Sequence, residues 1–132
     1  MKKTLTMALA LAAATASPAL ADGAKPMCKG SPKIVGDCFT LYGRLAVYNG
    51  TPAIRIWPFG TKKLLGVVDT DGDESTVALP DNIKKALADN PLEINGKYEM
   101  CPLDYERENR MRPVCLESAS DLRIVPNRPP TQ

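Results

Sequence analysis

The sequence predicts a small, mainly β domain of five strands and one short helix, stapled by two disulfides. Three features carry this. Four cysteines, Cys28, Cys38, Cys101 and Cys115, all lie beyond the first 21 residues, and their number is even. Apolar and polar residues alternate through residues 39–48, with a turn pair, Asn49-Gly50, directly behind them. Only residues 79–90 carry helix-boundary signals.

The N-terminus reads as an address. Lys2 and Lys3 precede an uncharged apolar run at residues 5–16, and Ala19-Leu20-Ala21 places small residues where a signal peptidase cuts. The run is too short for a membrane-spanning helix. Residues 1–21 are therefore expected to be a signal peptide for Sec export to the periplasm or the medium, and the mature chain is expected to contain no membrane span. The 111 residues left of the 132 suit one domain. Within them, 22–37 reads as an irregular N-terminal arm, 38–125 as the folded domain, and 126–132, with three prolines, as a flexible tail.

Charge and composition exclude several functions. The chain has 17 basic and 15 acidic side chains, and Lys2 and Lys3 account for the whole difference, so the mature chain is electrically balanced. That disfavours a general nucleic-acid binder, whose affinity comes from excess Lys and Arg, and a polybasic membrane-surface protein. The absence of histidine removes Ser-His-Asp and Cys-His catalysis and His-ligated zinc.

Along the chain, Phe39, Leu41, Leu45 and Val47 share one parity and Thr40, Tyr42, Arg44 and Tyr48 the other, the pattern of a half-buried strand. Gly43 interrupts it, as at a bulge or sharp bend. Asn49-Gly50 predicts a tight hairpin into a second strand at 53–57, with Ile54 and Ile56 inward. Pro58-Phe59-Gly60 predicts a turn into a third strand at 63–68, which ends in the acidic residues 69–74. Pro80 and Asp81 suit a first helical turn, Ile83 and Leu87 share a face, and Asn90-Pro91 stops the helix. A turn at Asn95-Gly96, a fourth strand at 97–103, a charged loop at 104–112 and a fifth strand at 114–118, extended by 122–125, complete the series.

In an exported chain of this size, four cysteines predict two disulfides. Their spacings lack the Cys-x2-Cys knuckles of zinc sites and the Cys-x-x-Cys of redox pairs. Cys101 and Cys115 lie symmetrically about Glu108, so a hairpin folded there puts them face to face, within bridging range. The expected pairs are Cys101–Cys115 and, by elimination, Cys28–Cys38, although sequence alone permits two other pairings.

Three strands, one helix and two strands, with a glycine inside a long first strand, resemble an OB-fold, a five-stranded Greek-key barrel with its helix between the third and fourth strands. The resemblance spans residues 38–125. The segments Gly43-Arg44, Tyr48-Asn49-Gly50-Thr51-Pro52, Arg55-Ile56-Trp57, Leu65-Gly66-Val67 and Cys115-Leu116-Glu117-Ser118-Ala119 also look like those of small exported bacterial proteins of unassigned role. That resemblance implies export and fold rather than activity.

The candidate site is a surface. Tyr42, Arg44 and Tyr48 on the first strand share the outward parity with Arg55 and Trp57 on the second. OB-folds bind ligands across such a face, and aromatic rings beside Arg stack on bases or sugars. Tyr48, Arg55 and Trp57 are the principal expected contacts, with Arg44 and then Tyr42 beside them, because a bulge at Gly43 turns Tyr42 away. The acidic residues 69–74 fail as an EF-hand, since Glu74 and Pro80 stand where glycine and a bidentate Glu are needed. Leu64-Leu65-Gly66-Val67-Val68-Asp69-Thr70 is superficially similar to a strand of the calcium-dependent thermonucleases, but Lys62-Lys63 and Asp71-Gly72 replace their Arg and Pro-Glu. The last hairpin is expected to put Glu99 opposite Glu117, a pair that resembles glycosidase carboxylates but also occurs on ordinary strands.

The sequence therefore predicts an exported, non-catalytic binding module for an unidentified envelope ligand or protein, with no cofactor or metal. Its rival is a protein-interaction or enzyme-inhibitor module working through the 104–112 loop. A calcium-dependent nuclease-like hydrolase comes last.

Overall fold

The computed structural model describes residues 26–71 and 77–127. The expected signal peptide, much of the acidic segment and the last residues of the tail lie outside the described residues. The strands are β1 (Phe39–Val47), β2 (Ile54–Pro58), β3 (Leu65–Val67), β4 (Glu93–Pro102) and β5 (Arg112–Val125), with the helix α1 (Asp81–Leu87) between β3 and β4. They close into a barrel in the order β1-β2-β3-β5-β4. The β3–β5 pairing is parallel and the others are antiparallel. This is the OB-like architecture that the element order predicts.

The alternation in β1 and β4 turns Leu45, Ile94, Tyr98 and Met100 inward, where they pack with Ile56, Val67, Val114 and Leu116. The Tyr98 hydroxyl is satisfied inside the core by donating to the Ile94 carbonyl. α1 is shorter than the sequence suggests. Pro80 stands at its N-cap with no side-chain cap, and Ile83 and Ala86 bury against the core beside the half-buried Leu87. The helix lies at the end of the barrel that β3 leaves and β4 enters. The opposite end, where β1, β3 and β5 begin, carries the arm, the β2–β3 loop and the β4–β5 loop.

Several expectations change. Gly43 makes no bulge: the register runs unbroken through it, opposite Gly96 on one side and Pro58 on the other. A Cβ at Gly43 would lie 2.7 Å from the Trp57 carbonyl oxygen, so the glycine is there for close approach. Asn95-Gly96 is no turn but lies inside β4, and a Cβ at Gly96 would lie 2.7 Å from Leu122 Cδ2. The bulges are in β5. Asn95 pairs with Arg123 but Lys97 with Ser120, and Glu99 pairs with Ser118 but Met100 with Leu116. Asp121, with φ 52°, sits in the first bulge, and Glu117 is the extra residue of the second. Asn49-Gly50 does not close a two-residue hairpin. The connection spans residues 48–53, closed by the Tyr48 N–H donating to the Ala53 carbonyl at 2.8 Å, because Pro52 has no N–H to offer a ladder.

The disulfides are Cys28–Cys115 and Cys38–Cys101, not the pairs expected from hairpin symmetry. The symmetry itself holds, since Cys101 stands directly opposite Cys115. Yet Cys38, one residue before the Phe39↔Met100 pair, reaches Cys101 from the other flank. That leaves Cys115 to the arm. Met27 and Ile34 pack against the two bridges, and the Val35 N–H donates to the Pro102 carbonyl at 2.9 Å.

Candidate functional site

β1 and β2 pair with Arg44 opposite Trp57 and Ala46 opposite Arg55, which brings the sequence-chosen residues onto one outer face. With no bulge at Gly43, Tyr42 joins them and is 55% exposed. Each aromatic ring there has its own cation. Arg44 lies 5.0 Å from the Trp57 ring centroid, Arg55 lies 5.1 Å from that of Tyr48, and Lys97 of β4 lies 6.0 Å from that of Tyr42. Arg55 also donates from Nε to the Pro52 carbonyl at 2.9 Å, so it braces the β1–β2 loop from within. Lys97 was not among the expected contacts; it enters because β4 flanks β1 on the side away from β2. Asn95, opposite both Arg44 and Arg123, keeps a buried Oδ1 with no hydrogen-bond partner among the described residues.

At the middle of β3, the β2–β3 face that serves OB-folds for binding is covered by this chain's own loops. Gly66 occupies the middle of β3, and a Cβ there would meet Pro52 Cγ at 2.5 Å and Met111 Sδ at 2.6 Å. Pro52 comes from the β1–β2 connection and Met111 from the end of the β4–β5 loop.

A concave feature lies at the end of the barrel where β1, β3 and β5 begin. The β2–β3 loop, residues 59–64, and the charged β4–β5 loop, residues 103–111, stand side by side because β3 and β5 pair in parallel, and the Arg112 N–H donates to the Leu64 carbonyl at 3.2 Å. Between them opens a groove of about 860 Å³. Its floor is apolar, formed by Phe39, Leu41, Pro58 and Leu65. Its rim is charged: Lys62, Lys63, Arg107, Arg110 and Arg112 against Glu106 and Glu108. Lys63 and Glu106 form an ion pair that spans the two loops, and Arg107 pairs with Asp104 at 3.5 Å. The hydrogen bond from Lys63 is the main cause that holds the Glu106 carboxyl below its ordinary range. Sequence reasoning named the 104–112 loop but not Lys62, Lys63 or Phe39, which reach the site only through strand pairing remote in sequence.

The carboxylate pair expected on the last hairpin does not form. Glu117 is bulged out of register and accepts the Cys28 N–H, while Glu99 pairs with Lys29 at 3.0 Å and accepts from Ser118 Oγ at 3.3 Å. Among the described residues, the grouping with metal-ligand proximity is Cys28, Cys101 and Glu117, with ligand atoms within 4.8 Å of one another. Both sulfurs are held in disulfides, and a metal takes the thiolate. No helix among the described residues is long and apolar enough to cross a membrane.

Comparison with known proteins finds no matching family model, no similar curated protein and no similar solved structure.

Proposed function

We propose that the chain is an exported, non-catalytic binding module that takes its ligand in the groove at that end of the barrel. One observation carries this reading: two loops remote in sequence build a single concavity with an apolar floor and a charged rim. Its size falls within the range of ligand sites. The roofing of Gly66 by Pro52 and Met111 favours the mouth over the β2–β3 face. Two disulfides suit the oxidising compartment to which the N-terminal pattern points.

A photo-crosslinking side chain placed at Lys62 tests the reading in envelope extract. The expected result is a saturable adduct that excess unlabelled protein competes away. The same side chain at Tyr42 is the control for the aromatic face. If only Tyr42 yields an adduct, the contact surface is the face of Tyr42, Arg44 and Trp57, the second reading, which the exposure of Tyr42 and the cation beside each ring favour.

A further inference from the structure

The mouth groove already holds an anionic group, and it belongs to the chain itself. Glu106 reaches from the β4–β5 loop to Lys63 on the β2–β3 loop. The positive charge of Arg112 also acts on its carboxylate. Arg112 is fixed in place: half-buried, its guanidinium lies 5.7 Å from the Phe39 ring centroid, and its Nε donates to the Asp104 carbonyl at 2.9 Å. Its terminal nitrogens have no hydrogen-bond partner among the described residues. Lys62 and Arg110, on the same rim, have no ion-pair partner among them either.

We propose that the groove receives an acidic peptide segment of a protein partner, whose side-chain carboxylate replaces Glu106 at Lys63 and reaches Arg112. The proposal rests on the mouth being the binding surface. A guanidinium oriented by an aromatic ring and one hydrogen bond presents its remaining N–H groups as a fork for a carboxylate. Displacement is cheap, because the Lys63–Glu106 pair is more than half exposed on both sides and such pairs contribute little. Glu106 acts as a tethered, weak competitor that keeps Lys63 paired until a better anion arrives.

The floor selects among anions. Tyr98, Met100 and Leu116, with no exposure, fill the barrel, so a long acyl chain finds no tunnel. Phe39, Leu41 and Leu65 offer a shelf for a short apolar side chain next to the acidic one. Single-stranded nucleic acid needs free aromatic faces for stacking, and the aromatic ring lining the groove, Phe39, already carries Arg112.

Fluorescence anisotropy with a fluorescein-labelled octapeptide of alternating Glu and Leu tests this, with the Gln–Leu counterpart as control. The Glu peptide is expected to bind saturably and the Gln peptide not to bind. Glu106→Gln, an exposed change that spares the fold, is expected to tighten binding about fivefold by removing the competitor, and Arg112→Lys to weaken it about tenfold by removing the fork. An unchanged or weaker affinity for Glu106→Gln overturns the proposal. So does equal binding of the Gln peptide, or equal competition by oligodeoxythymidine or phosphatidylglycerol vesicles. If the peptide fails while the Lys62 cross-link still captures a partner, the acidic peptide is wrong and the binding module stands; if the cross-link also fails, both fall.

Discussion

Arg44 faces Trp57 across the β1–β2 pairing, and its guanidinium carbon lies 5.0 Å from the centre of the indole. The pair is partly solvated, since Arg44 is exposed and Trp57 half-buried. Its value therefore sits at the lower end for cation–π contacts, about 0.5–1 kcal/mol. Trp57 is the only tryptophan, so its fluorescence reports on this contact alone. Arg44→Ala is expected to raise iodide quenching of Trp57 and to lower unfolding stability by that small amount in urea titration. Unchanged quenching would show that the arginine does not cover the ring.

Gly43 admits no side chain. A Cβ would stand 2.7 Å from a backbone oxygen of β2, and backbone in a barrel cannot yield as a flexible side chain can. Gly43→Ala is expected to destabilise by about 2 kcal/mol, within the range for overpacked interiors. Chemical denaturation measures it; a loss below about 0.5 kcal/mol would mean that the strands separate there without penalty.

Tyr98 links the core to alkaline pH. Burial raises its pKa far above the ordinary value of 10.0, so the folded protein keeps a proton that the unfolded chain gives up. The associated stability is complete below about pH 10 and declines as pH climbs above it. Of the four tyrosines, one is expected to resist ultraviolet titration until the protein unfolds, and Tyr98→Phe is expected to abolish that late phase.

Glu106 links the mouth to acid. Its pKa lies below the ordinary 4.5 because Lys63 holds the charged form. A lowered carboxyl pKa stabilises the paired state above the unfolded value and loses that effect as pH falls through the folded one. Carboxyl NMR is expected to give Glu106 a midpoint below 4.5 that rises toward the ordinary value in Lys63→Ala. A midpoint that ignores the substitution would remove the ion pair across the groove.

The bridges enclose long stretches of chain, with separations of 87 and 63 residues. In the chain-entropy account, loops of this size stabilise by roughly 4 kcal/mol each. Replacing Cys38 and Cys101 together with Ala is expected to cost roughly that much in denaturant titration. Non-reducing peptide maps are expected to join Cys28 to Cys115; a Cys28–Cys38 peptide would contradict the fold at the arm.

The barrel was legible because its signals are local. The alternation in residues 39–47, the boundary residues of α1 and the order of elements need no distant partner. What failed depends on residues far apart in sequence. The bulge at Glu117 serves the backbone of Cys28 in the arm. The continuous path through Gly43 reflects the close approach of the Trp57 carbonyl on β2, and the true partner of Cys101 directly precedes β1, a flank that a reading confined to one hairpin does not see. The shared face of Arg44, Arg55 and Trp57 follows from strand parity, whereas the bulge expected to turn Tyr42 away is absent and Lys97 enters from β4. The groove stayed hidden because the β3–β5 pairing brings its two walls together.

The two bridges are nested, Cys38–Cys101 inside Cys28–Cys115. Along the chain, Cys28 and Cys38 come first and lie close together, while both of their proper partners come far later. For a chain that enters an oxidising compartment N-terminus first, the first thiols available to each other are the wrong pair. Oxidation must wait until Cys101 on β4 has arrived to take Cys38, or an early Cys28–Cys38 bond must be reshuffled by a disulfide isomerase. The maturation of this small barrel thus depends on the timing of its thiols as well as on the packing of its core.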